Sequence, residues 1–171
     1  MGTVQVMNEK LRAIYLNDHL AGATGGLELA RRAAGSNPEG ELGRFLEGLA
    51  TEIEEDRDSL RSAMEALGVR EDPFKRTAAW GAEKLGRLKL NGQILGYSPL
   101  SRLVELEGLH VGISGKLSLW QVLEATSAGE LPDTDLSALI ARAQRQLADL
   151  EPYRIAAARE AFETEAAAAP N

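Results

Sequence analysis

Apolar residues recur every three or four positions along nearly the whole chain, the spacing of a helix face turned toward a core. Val4, Met7, Leu11, Ile14 and Tyr15 open the first stripe. It continues through Leu27 and Leu29 and predicts a helix over about 4–34, ended by GSNPEG at 35–40. Leu42, Phe45, Leu46, Leu49, Ile53, Leu60, Ala63, Met64 and Leu67 predict a second helix over about 39–67, with Gly68 just past its end where a left-handed residue commonly sits. A third begins at Ser98 with Pro99 in its first turn and runs to about Ser127 through Leu103, Leu106, Leu109, Ile113, Leu117, Trp120 and Leu123. It is apolar nearly all round and is expected to be the most buried element. Asp135 caps a fourth, carrying Leu136, Leu139, Ile140, Ala143, Leu147, Leu150, Ala157 and Phe162, with Pro152 expected to kink it. Between the second and third stripes, a shorter helix is expected from near Asp72-Pro73 to about Asn91-Gly92.

Composition agrees with an all-α class: in 171 residues, 44% are hydrophobic and 5% aromatic, and helix formers dominate. That length fits one domain, expected over 1–165, with the alanine-rich 166–171 as a fraying tail. The net charge of −7 has no compensating basic face, which argues against a nucleic-acid partner. The absence of cysteine excludes disulfides, thiolate catalysis and Fe–S clusters. No apolar run approaches membrane-spanning length and the first residues do not read as a signal peptide, so a cytoplasmic protein without a membrane partner is expected. GRLKLNG at 86–92 is not a phosphate loop, and no serine elbow accompanies the two histidines.

Residue counting places partners across each hairpin, because residues equally far from a turn lie at the same height. Asp18 and Asp56 each lie about 19 residues from the first turn, and each interrupts an apolar stripe, so they are expected to face each other mid-bundle. Glu107 and His110, in Glu107-Gly-Leu-His110, share one face of the third helix, and across the second hairpin the polar residue at their height is Arg154.

Two helical hairpins joined by a long crossover, mid-helix carboxylates and a Glu-x-x-His resemble the ferritin-like superfamily over about residues 4–165. The resemblance implies a four-helix bundle, a homodimer through an exposed helix face, and a di-metal centre built from one Glu on each of two helices and a Glu-x-x-His on each of the others. This chain has a single such pair, and the fourth helix offers Arg154. The leading expectation is therefore a non-enzymatic bundle with a structural, small-ligand or protein-interaction role and no cofactor. Asp18, Asp56, Glu107, His110 and Arg154 then form a buried polar network, with Glu107 paired to Arg154 and His110 bonded to Asp18 or Asp56. The alternative is an oxidoreductase or iron-handling protein holding Fe or Mn on Asp18, Asp56, Glu107 and His110.

His19, one helical step from Asp18, is expected on a flank, and EIEEDRD at 52–58 as a solvated face paired with Arg57 and Arg61. Gly22, Gly25, Gly26, Gly108, Gly112 and Gly115 weaken their helices, which points to close helix packing or to a ligand cavity lined by Tyr15 and Gly22. Trp80 and Trp120 are expected as core anchors.

Overall fold

A computed structural model describes residues 8–72 and 97–163, and among these every regular element is helical. Helix α1 is Glu9–Ser36, α2 Gly40–Ala66, α3 Pro99–Ser127 and α4 Leu136–Phe162, with a 3-10 turn at Ala128–Glu130 leading into the second hairpin. The ends carry local chemistry. Asn8, Ser98 and Asp135 each accept a hydrogen bond from the backbone N–H three residues on, satisfying a donor that the first turn leaves open. Beyond α2, Gly68 takes φ +67°, its N–H donates to the Glu65 carbonyl and that of Val69 to Met64, a left-handed cap that answers two of the last free carbonyls. Helix α4 is continuous through Pro152. Val4, Met7, the expected crossover helix, Trp80 and the tail lie outside the described residues.

The core falls into two apolar clusters. One joins Leu27–Ala34 of α1, Leu46–Ile53 of α2, Leu103–Ile113 of α3 and Ala143–Ala157 of α4. The other joins Leu16 and Leu20 with Leu60–Met64, Leu119–Leu123 and Leu136–Leu139. The sharing fixes the directions: α2 and α3 run parallel, α1 and α4 run against them, and α2 ends at the opposite end of the bundle from where α3 begins. α3 is not the enclosed element its composition suggested. It packs on α1 and α4 but leaves Glu107, Gly108, Val111 and Gly112 exposed, because apolar residues all round a helix are buried only where a neighbour covers each side.

Two buried amides pin the ends. Asn17 donates to the Ala13 and Arg70 carbonyls and accepts from the Asp72 N–H, holding the chain as it leaves α2. Asn37, between α1 and α2, donates to the Ala33 carbonyl and to the Tyr97 hydroxyl oxygen, each at 2.8 Å, and accepts from Arg102 Nε at 2.8 Å. The Tyr97 hydroxyl donates to Glu105 at 3.0 Å, and buried Glu105 also accepts from Arg32.

Burial and the Glu105 carboxylate push the Tyr97 hydroxyl up from its ordinary 10.0 to about 12, against the bond from Asn37. Between those two values an unfolded chain loses the proton that the folded chain keeps, so this residue's contribution to stability falls as pH rises through the window. Tyr97→Phe is expected to flatten the decline of the urea midpoint across that interval relative to the unaltered chain. Parallel declines would show that the hydroxyl is not so held.

Candidate functional site

The two apolar clusters are separated at mid-height by a polar tier and a cavity. Asp56 continues the α2 stripe Leu49–Ile53–Asp56–Leu60 and is 2% exposed. The Lys116 ammonium of α3 reaches across to Asp56 Oδ2 in a short ion pair and donates to Gln146 Oε1 of α4 at 2.5 Å. Gln146, also 2% exposed, donates in turn to Glu52 at 2.8 Å and to Asp56 at 3.4 Å. Arg142 stands 3.3 Å from Asp56 Oδ1 and bonds Glu55 at 2.8 Å, while Arg145 bonds Glu52 at 2.7 Å. The tier thus closes the α2–α4 seam with charges that alternate in sign, the condition under which buried ions persist. Burial pushes the Lys116 ammonium below its ordinary range, with the Asp56 charge opposing the shift.

On the other side of this pair lies a cavity of about 290 Å³ between α1, α2 and α3. Its walls are mainly apolar, among them Ile53, Leu60, Leu109 and Trp120, with Asp56 and Lys116 as the inner charges. Gly22, Gly26, Gly112 and Gly115 border it, and a Cβ built on Gly26, Gly112 or Gly115 meets nothing within 4 Å. One level away, a Cβ on Gly108 would lie 2.9 Å from Leu29 Cδ2, so α1 and α3 touch there and part at the cavity. Close packing at Gly108 and open space beside Gly26, Gly112 and Gly115 therefore occur at different heights.

Among the sequence-predicted residues, Asp18, Asp56 and Gly22 line this one cavity. Tyr15 does not; it packs edge-on against His19, with ring centres 4.5 Å apart, and His19 takes the place at the wall. Burial lowers the His19 imidazole below its ordinary value and so disfavours the charged ring, opposed by the charge of Asp18.

The remaining three residues lie elsewhere. Arg154 is held by Glu151 at 2.7 Å and meets Glu107 at 3.7 Å, but half of the Glu107 side chain is exposed. His110 is half-buried toward the same α4 residues, and its Nδ1 has no partner among the described residues. The expectation of one buried five-residue network is corrected accordingly. Counting gave the heights, yet Glu107 and His110 each sit one helical step, about 100°, off the buried Leu106–Leu109–Ile113 stripe. Arg154→Ala is expected to leave the melting temperature within the scatter of replicate melts, because solvent-exposed ion pairs contribute little. A large drop would restore the buried-pair reading.

Lys116 and Gln146 were missed, although the signal that exposed Asp56 marks them too. Leu109–Ile113–Lys116–Trp120 and Leu139–Ala143–Gln146–Leu150 are stripes interrupted by one polar residue, whereas the stripes expected from spacing pass through Leu117 and Leu147. The acidic run 52–58 also divides: Glu52, Glu55 and Asp56 serve the α4 seam, while Arg57 and Arg61 pair with Asp58 on the outer face. Among the described residues no three His, Asp or Glu gather closely enough to hold a metal ion, and no helix is long and apolar enough to cross a membrane. No protein-family model, curated protein or solved structure matches the chain.

Proposed function

We propose that this protein is a non-enzymatic, ferritin-like helical bundle that binds a small organic ligand, with the Asp56–Lys116–Gln146 tier occupying the height where a ferritin-like metalloprotein carries its metals. The observation that carries the reading is the cavity of about 290 Å³, which interrupts the core beside that tier. A cleft of that size lined mainly by apolar side chains offers packing contacts to a ligand, and bundle pockets characteristically lie between helices. Two features support it: Gly26, Gly112 and Gly115 border the space with nothing within 4 Å of where a Cβ would stand, and Trp120, one of the lining residues, has a buried Nε1 without a hydrogen-bond partner among the described residues. The parallel α2 and α3, each in an antiparallel hairpin, support the ferritin-like part.

Ligand-observed NMR against a library of compounds with one or two rings tests it. Hits should bind saturably to the unaltered chain and lose binding in Gly112→Leu, where the new side chain has open space to enter. A library without hits, or hits indifferent to Gly112→Leu, would overturn the cavity reading. Stoichiometric Fe(II) uptake in an anaerobic titration, abolished by Asp56→Asn, would replace it with the metal-handling alternative.

A further inference from the structure

The walls of the cavity also say which ligand suits it, an inference that rests on the small-ligand reading above. Among the described residues the inner charges at the wall, Asp56 and Lys116, answer one another, Arg57 is paired with Glu54 and Asp58, Asp18 stands at the exposed rim, and burial disfavours the charged form of His19. An ionic headgroup would therefore add an excess charge beside the matched Asp56–Lys116 pair, which desolvation penalises. A wholly apolar guest would leave polar atoms unanswered. Of the three protons on the Lys116 ammonium, Asp56 and Gln146 take two. Among the described residues, Trp120 Nε1, fully buried, has no acceptor, and Asp56 Oδ1 has a charge neighbour in Arg142 but no hydrogen bond. The guest also has to be compact: the space is roughly twice the ~150 Å³ that accommodates a benzene ring.

We propose that the cavity selects an uncharged, one- or two-ring ligand carrying a single hydroxyl or carbonyl oxygen, which accepts a hydrogen bond from the Lys116 ammonium.

Calorimetric titration of the full chain at pH 7 with four guests of one skeleton tests the inference: 2-naphthol, naphthalene, 2-naphthoate and 2-naphthylmethylammonium. The expected result is that 2-naphthol binds about tenfold or more tighter than each of the others, the difference that one buried hydrogen bond to a charged donor makes. Lys116→Met should erase the preference for 2-naphthol over naphthalene while naphthalene binding persists. If that variant does not fold, the four-guest ranking on the unaltered chain stands as the test. Naphthoate or the ammonium binding as tightly as 2-naphthol would overturn the proposed selectivity and leave the cavity reading intact, as would naphthalene matching 2-naphthol. If no guest binds, the inference and the cavity reading fall together.

Discussion

Asp56→Ala is expected to reduce the folding free energy by about 3–5 kcal/mol, because it strips a buried cation of its counter-charge. Lys116 would keep only the neutral Gln146 carbonyl in a site enclosed by the two apolar clusters, and Arg142 would lose its inner partner. Replacing both ends of the pair, as in Asp56→Leu with Lys116→Met, is expected to recover most of that loss, since a hydrophobic pair of similar volume is often as stable as a buried ion pair. Urea denaturation of the single and double variants checks both. A single variant within about 1 kcal/mol of the parent would mean that the pair is hydrated in solution, as exposed pairs are.

Gly43→Ala is expected to cost about 2–3 kcal/mol, for a reason unrelated to charge. A Cβ at this buried position on α2 would lie 2.2 Å from the Asn37 carbonyl oxygen and 3.1 Å from the Pro38 carbonyl carbon. Both are backbone atoms, so the α1–α2 turn has to open, and Asn37 would be pulled from Tyr97 and Arg102. Gly26→Ala is the contrasting control. It has open space around the new methyl and should gain about 0.5–1 kcal/mol from helix propensity. Should both substitutions stabilise, the turn is looser than this contact requires.

Much of this architecture was legible in the chain. Helix starts at Ser98 and Asp135 and the stop at Gly68 lie where a side-chain oxygen or a glycine answers the unsatisfied groups of a helix end, a chemistry confined to four or five consecutive residues. The shared height of Asp18 and Asp56, and of Glu107 and Arg154, was equally accessible, because helical rise is fixed and counting from a turn measures distance along the axis.

Rotation about that axis was not accessible. Whether α3 turns Lys116 or Leu117 inward, and whether Glu107 meets solvent or core, depends on which sides of α3 are covered by α1 and α4. A step of about 100° converts a buried charge into an exposed one. The cavity belongs to the same category. Its glycines announced only that something needed them, and it opens where α1 and α3 part beyond the close contact of Gly108 with Leu29, beside the Asp56–Lys116–Gln146 tier that joins α2, α3 and α4. The sequence by itself determined the four long helices, the caps at Ser98, Asp135 and Gly68 and the heights of their polar residues, because those follow from local hydrogen bonding and a constant rise. The tertiary structure alone decided which of those residues face one another and where space is left between them, because each helix's rotation and separation are settled by packing against all its neighbours at once.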